Sequence, residues 1–327
     1  MTGGHLVIIN VVHAVPESAS AFGRDHDGFT AALEVVGRDH DVRWLNVHPY
    51  NDDHRARARQ IPDADFVLVR SDWGWLPCAA ADRALFGRTD VPSGLLIAGS
   101  SPAPPPARQR RFDTVFFETP WYAPFVAEHP FAHLAFGVDS RAMRNHHREH
   151  RSWDWLMVGR LAAFKRPEQL AARAGRRLAI GDLSSADPAV VATLRDSGVE
   201  LRDFVAYDEL AELYNDSRRV LVPCTLQGGG ERAVVEAMTC GCDVEIAPDN
   251  PKLASLLGRP VADHEAYGSI LQWAIEEVVG GRRIDDAVKL EAQRLARWDV
   301  WSDKARRLPR TLGIRARGII PSRSARR

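Results

Sequence analysis

The chain has 327 residues, with 43 Lys and Arg against 43 Asp and Glu and 45% hydrophobic residues, a balance that excludes disorder as its main state. At roughly 100 to 200 residues per domain, this length predicts two domains, each able to bury its own core, with a cleft between them as the default site. The longest apolar runs, such as residues 6–12, fall far short of the roughly 18 residues a membrane span needs. The opening Met1-Thr2-Gly3-Gly4-His5 lacks the basic and apolar regions of a secretory signal, so the expected location is the cytoplasm. Four cysteines, Cys78, Cys224, Cys240 and Cys242, are too few for a disulfide scaffold and read as reduced and structural.

Apolar runs alternate with helical patterns along the whole chain, which predicts parallel sheets with helices on their faces. In the first half, strands are expected over 6–12, 42–47, 66–69, 94–98, 114–117 and 133–136. A helix carrying Phe29, Leu33 and Val36 on one face is capped by Asp27, and a Pro-rich loop spans 102–106. Residues 140–153 hold Arg141, Arg144, His146, His147, Arg148, Glu149, His150 and Arg151 with little apolar periodicity, the pattern of a solvated linker. In the second half, strands are expected over 155–158, 177–180, 201–205, 220–222 and 243–246. Helices are expected over 167–174, 188–196, 209–215, 231–239, 264–279 and 285–307. The domains are therefore drawn as 1–139, a linker 140–153, 154–303 and a basic tail 304–327.

Two segments of the second half carry chemistry. One is Gly228-Gly229-Gly230 running into a helix at Glu231: glycines let a ligand approach the backbone, and a helix start offers unpaired amides with partial positive charge. The spacing is neither a Walker loop nor a dinucleotide fingerprint, and the plain alternative is a flexible turn. Glu236, farther along that helix, has its own plain alternative, a surface pair with Arg232 four residues earlier. The other segment, Gly159-Arg160 through Lys165-Arg166, places three cations on a strand-to-helix turn, where open α/β sheets bind ligands. Arg gives bidentate contacts to phosphate and Lys a mobile point charge, so together the segments suggest a diphosphate held from two sides.

In this order and separation the two segments resemble the GT-B glycosyltransferases, specifically the family 4 group of nucleotide-sugar-dependent, mostly retaining enzymes. The resemblance rests on Gly137-Val138-Asp139, Gly159-Arg160 with Lys165, and Gly181-Asp182. It continues through Tyr207-Asp208-Glu209-Leu210 with Leu213-Tyr214 and Val222-Pro223, and is most specific at Val235-Glu236-Ala237-Met238-Thr239-Cys240-Gly241. It implies an α/β fold of two Rossmann-like parallel-sheet domains facing an interdomain cleft. It further implies that Glu236 contacts the nucleotide ribose and that Arg160 and Lys165 neutralise the diphosphate. The family signature is Glu-x7-Glu, and here the first position is Gly228. Glu231 is the nearest acid, but five helical residues turn it about 140° from Glu236, so it is a carboxylate at the helix start rather than a shifted copy. Where the family tends to place a histidine in the first domain, this chain has Ala98-Gly99-Ser100-Ser101; His13 and Asp72 are the acceptor-side candidates.

Three other patterns yield to plainer readings. His146-His147-Arg148-Glu149-His150 matches the His-x-x-Glu-His zinc pattern but lies in a charged linker without a core-facing stripe. Arg-Asp-His-Asp at 24–27 and 38–41 reads as a helix cap and a helix-to-strand turn. Cys224, Cys240 and Cys242 read as buried packing rather than a soft-metal site. The expectation is a glycosyltransferase that moves a sugar from a nucleotide-diphosphate donor to an acceptor, with retention and without a metal or other cofactor. Gly159, Arg160, Lys165, Gly228, Gly229, Gly230, Glu231 and Glu236 bind the donor, and Arg160, Lys165 and Glu231 act in catalysis. The alternative is a nucleotide-sugar-binding protein with a degenerate catalytic site. The tail 304–327 holds Lys304, eight arginines and no acid. Its expected partner is anionic, either a membrane surface or nucleic acid as acceptor, and the plain alternative is a solvated terminus.

Overall fold

A parallel strand covered by helices on both faces reads as a continuous apolar run rather than an alternation. Thr114–Phe117 is such a run, with all four residues buried. The computed structural model describes residues 6–13, 27–46, 63–71, 91–99 and 103–291. Its first sheet has six strands, β1 (Ile8–His13), β2 (Asp41–Asn46), β3 (Phe66–Ser71), β4 (Ser93–Ile97), β5 (Thr114–Phe117) and β6 (Ala132–Leu134). Their order is β2-β1-β3-β4-β5-β6, and every pair is parallel. The strand expected over 133–136 is shorter than predicted, and the chain after it forms a separate β7 (Gly137–Val138).

The second sheet is β8 (Trp153–Val158), β9 (Arg177–Ile180), β10 (Glu200–Arg202), β11 (Ser217–Val222) and β12 (Asp243–Ile246), in the order β10-β9-β8-β11-β12. It too is wholly parallel. Both sheets are therefore doubly wound, with apolar cores on either face. The connection 140–153 is irregular, as expected, yet it is not merely solvated. Met143 is fully buried in the second core, and the His146 amide donates to Asn215 Oδ1 at 2.8 Å.

The helices that matter below are α1 (Gly28–Val36), α2 (Pro188–Asp196), α3 (Tyr207–Asn215), α4 (Glu231–Thr239) and α5 (His264–Val279). The sequence reading places α5 in the 154–303 domain, and the packing corrects this. Tyr267, Leu271, Ala274, Ile275 and Val278 join Val7, Ile9, Phe29 and Leu33 in one core against the first sheet. The spacing of those five residues makes a single apolar stripe, which α1 and the first sheet cover. Arg38 clamps Glu265 through two bonds of 2.7 and 2.6 Å, and His40 Nε2 lies 3.0 Å from Glu276.

The chain returns to the first half through β13 (Ala262–Asp263), which pairs in parallel with β7, so the outgoing and incoming crossings lie side by side. After α5, the Ile284 amide donates to Asp113 at 3.1 Å and buried Lys289 reaches the same carboxylate at 2.5 Å. The helix expected over 285–307 thus starts on the first half. Its remainder beyond residue 291, with Trp298, Trp301 and the tail 304–327, lies outside the described residues. Among the described residues no helix is long and apolar enough to cross a membrane.

Candidate functional site

Ligands of open parallel sheets bind beyond the carboxyl ends of the strands, where the winding order reverses. In the second sheet that point lies between β8 and β11. Gly159 and Arg160 follow β8, and a turn over Ala163–Lys165 comes next. Arg166 then takes a left-handed conformation with φ of 51° and grips Asp249 through bonds of 2.7 and 2.6 Å. After β11, Cys224 leads into a turn over Leu226–Gly228, and Gly230 caps α4. The Thr225 amide donates to the Phe164 carbonyl at 3.2 Å, which binds the cationic turn to the glycine turn.

Two of the glycines are there because nothing larger fits. A Cβ on Gly228 would lie 2.7 Å from Cys224 Cβ and 3.1 Å from the Phe164 carbonyl oxygen. A Cβ on Gly230, whose φ is 108°, would lie 2.7 Å from Val222 Cγ1 and 2.8 Å from Cys224 Sγ. The Cys224 thiol donates to the Gly229 carbonyl at 2.7 Å and so forms the floor of the turn. With glycine as N-cap, no side chain caps the first turn of α4, and its amides point outward with partial positive charge.

Lys165 stands over this turn: a Cβ on either Gly159 or Gly229 would lie 3.8 Å from its Nζ. Burial draws its pKa down, neighbouring Arg160 and Lys252 act in the same direction, and Cys224 and Glu231 oppose them. Arg160 is half-buried at the mouth of the same turn, its pKa lowered by burial and raised by Asp182. Three further cations nearby hold carboxylates: Arg166 holds Asp249, Arg232 holds Asp27 at 2.9 Å, and Lys252 holds Glu231 at 2.5 Å. The structure thus brings Gly159, Arg160, Lys165, Gly228, Gly229, Gly230 and Glu231 to one place.

Glu236 lies farther along α4 and is buried, not on the surface. Its carboxylate accepts from the Tyr207 hydroxyl at 3.3 Å and the Tyr214 hydroxyl at 3.2 Å. Burial pushes it up to about 7, against the Arg232 charge and the Tyr214 hydrogen bond. Burial, helped by the Glu236 charge, holds both phenols well above the ordinary tyrosine range, so they remain donors. The surface pair of Arg232 with Glu236 is corrected: the Arg232 guanidinium reaches across to Asp27.

His13 ends β1, with its side chain outside what is described, and Asp72 lies outside the described residues. The His-x-x-Glu-His stretch has no helix to align its imidazoles, and His147 has a φ of 51°. Cys240 packs 3.8 Å from the Met143 sulfur, and Cys242 donates to the Tyr214 carbonyl at 3.0 Å. Among the described residues no group of three or more His, Cys, Asp or Glu is placed to share a metal ion.

No family model and no curated protein matches the sequence, whereas solved structures match the fold. AviGT4, a glycosyltransferase involved in avilamycin A biosynthesis, superposes with a TM-score of 0.53 at 13% identity, over 84% of this chain and 98% of its own. Anabaena Alr3699/HepE in complex with UDP and glucose gives 0.52 at 12% identity, over 91% and 100%. A glycosyltransferase from Rickettsia africae gives 0.51 at 11% identity, over 92% and 99%. The chain has the GT-B fold.

In the GT-B arrangement the first half faces the switch point of the second sheet, and three contacts join them here. Asp27, the N-cap of α1 with bonds of 2.9 Å to the Thr30 amide and 2.9 Å to Arg70, also receives Arg232. Arg70 in turn lies 4.6 Å above the Phe29 ring. Lys252 Nζ donates to the Gly99 carbonyl beyond β4 at 3.4 Å, and the turn Pro251–Ala254 packs on Pro120–Tyr122. Lys252 and Tyr122 were not singled out from the sequence. A lysine after Asn250-Pro251 looks like any first-turn residue until the fold shows it pressed against the opposite half.

Proposed function

We propose that this GT-B protein transfers a glycosyl group from a nucleoside diphosphate sugar to an acceptor held by the first half. The observation that carries the reading is the meeting of Arg160, Lys165 and the uncapped start of α4 at one switch point. When the bond between the anomeric carbon and the phosphate oxygen breaks, its electron pair leaves on the diphosphate. Arg160, Lys165 and the amides after Gly229 meet that charge from fixed positions, which favours the transition state over the bound donor. The acceptor hydroxyl then bonds to the anomeric carbon, and its proton passes to the departing phosphate oxygen. Fixed cations and backbone dipoles fill the part a divalent ion plays in other transferases, so transfer proceeds without added metal. Retention follows from the resemblance to family 4.

At the other end of the donor, Glu236 accepts from the ribose hydroxyls and Glu231 from the sugar. The first probe is UDP, because the similarly folded Alr3699/HepE binds UDP and glucose. Calorimetric titration with UDP and GDP, followed by a transfer and hydrolysis assay on their hexose conjugates in the presence of EDTA, tests the reading. Binding of neither nucleotide overturns it.

A second reading has its own observation: the glycine at 228, where no carboxylate fits. On that reading the protein binds a nucleotide sugar without transferring it, and it shows nucleotide affinity with neither transfer nor hydrolysis. For the acceptor, the basic tail 304–327 supports a polyanionic partner on a cytoplasmic membrane face or a nucleic acid. Truncation after Asp303 with activity measured at two salt concentrations tests this, because polyanion binding weakens steeply with salt.

A further inference from the structure

Lys252 is the fully buried cation of this molecule's cleft, at 0% side-chain exposure beside Glu231 at 4%. A buried ammonium survives only with compensating charge and hydrogen bonds. Its two partners come from opposite halves: the Glu231 carboxylate on α4 at 2.5 Å, and the Gly99 carbonyl beyond β4 at 3.4 Å. The turn that carries it, Pro251–Ala254, is fixed by the Asn250 side chain, which accepts from the Leu253 amide at 3.2 Å and donates to the Cys224 carbonyl at 3.0 Å. Cys224 is the floor of the glycine turn, so Lys252, Cys224 and the start of α4 form one rigid unit.

We propose that Lys252 is a positioning residue: it holds the Glu231 carboxylate at the sugar end of the donor site and ties it to the first half through Gly99. The pair thereby stands in for the carboxylate that Gly228 cannot supply. This rests on the glycosyltransferase reading above. Glu231 sits at the start of the helix whose amides face the diphosphate, one residue from Gly230, and Lys165 lies above the same turn. A carboxylate without that partner has three side-chain torsions through which to turn. Clamped by Lys252, it presents one orientation, and its grip on the sugar is made firm only when the halves are together.

The groups facing Glu231 are Lys252 from the 251–254 turn, Lys165 from the 163–165 turn, Cys224 from beyond β11 and Tyr122 from the first half, with Glu118 beyond it. Removing Lys252 takes away the cation that lies 2.5 Å from the Glu231 carboxylate and so frees that carboxylate from its fixed orientation. The test uses the full chain with UDP and UDP-glucose, comparing Lys252→Met, Lys252→Arg and Glu231→Gln. In Lys252→Met the KM for UDP-glucose rises while the affinity for UDP is unchanged. The preference for UDP-glucose over UDP falls about tenfold, as expected for a lost hydrogen bond to a charged group. Lys252→Arg restores the KM and the preference, because charge is the requirement. A Lys252→Met protein of lower Tm with the wild-type KM and preference has lost structure only, and overturns the proposal. If that variant fails to fold, Glu231→Gln decides: an unchanged preference for UDP-glucose over UDP also overturns it. Failure of the wild type to bind UDP or GDP instead overturns the transferase reading itself.

Discussion

Asp27 and Arg232 meet across the two halves at 2.9 Å, with the carboxylate 3% exposed and the guanidinium 43%. Asp27 also caps α1 and receives Arg70, so a single carboxylate ends a helix, anchors a strand residue and fastens the helix that carries Glu231 and Glu236. Desolvation opposes its charge, but Arg70, Arg232 and the Thr30 amide outweigh it and hold its carboxyl well below the usual carboxylate range.

Asp27→Asn is expected to destabilise the protein by about 3 to 5 kcal/mol, because it removes the carboxylate from a buried ion pair with Arg70. Arg232→Ala should cost about 1 kcal/mol or less, since the Arg232 guanidinium is partly exposed and Asp27 keeps Arg70. A depressed folded-state pKa contributes stability that is present above the unfolded carboxylate pKa and lost as pH falls toward the folded one. Urea unfolding at pH 7 and pH 3 checks both points: Asp27→Asn should lose less stability on acidification than the wild type.

Arg160→Ala and Lys165→Ala should each lower turnover by about 10²-fold or more, because contacts to a leaving diphosphate strengthen in the transition state. Circular dichroism should show the fold intact, as both side chains lie at the cleft and not in a core. Wild-type turnover in both variants would remove the diphosphate from this turn.

Glu236→Gln should weaken UDP binding by about 1.5 to 3 kcal/mol, the range for a hydrogen bond to a charged group. Its carboxyl is raised to about 7 in the fold, so UDP affinity should climb as pH rises through 7 and the acceptor ionises. Stability moves the other way. A raised folded-state pKa contributes stability below the unfolded value, which is lost as pH rises toward 7. Melting curves of Glu236→Gln should lack that loss between about pH 4.5 and 7.

Gly228→Ala is expected to destabilise by about 1 to 3 kcal/mol, the usual range for an overpacked site, and Gly228→Glu should not raise activity. The clash is with Cys224 Cβ and the Phe164 carbonyl oxygen, so Cys224→Gly should recover part of the loss in Gly228→Ala. Additive effects in that double-mutant cycle would show that the two positions do not share the space.

Most strands were legible in the sequence because buried parallel strands are largely apolar: β5, β9 and β12 sit where the runs predicted them, whereas β11 begins three residues before its apolar run, at Ser217. The cationic and glycine turns were legible for a different reason: a strand end followed by Gly or Arg and then a helix is a local pattern. What the sequence hid was relational. Lys252 lies 153 positions from Gly99 and Arg232 lies 205 from Asp27, and only the fold brings each pair together. The helix α5 was assigned to the wrong half because its apolar stripe says that it packs and not against what. The surface pairing with Arg232, the plain alternative for Glu236, failed because the i,i+4 rule describes an isolated helix, whereas Tyr207 and Tyr214 from α3 hydrogen-bond the Glu236 carboxylate.

Synthesis runs from the amino terminus, and that gives the return of α5 a consequence for the order of folding. The apolar face of the first sheet, including Val7, Ile9 and Phe29, stays incompletely covered until residues 267–278 have been made. By then the whole second sheet has emerged and can close on its own cores. The half that begins the chain is therefore finished last, around a second half that folds as an insert within it. A fragment ending at residue 139 would expose the surface that α5 buries, and its natural fate is aggregation rather than independent folding.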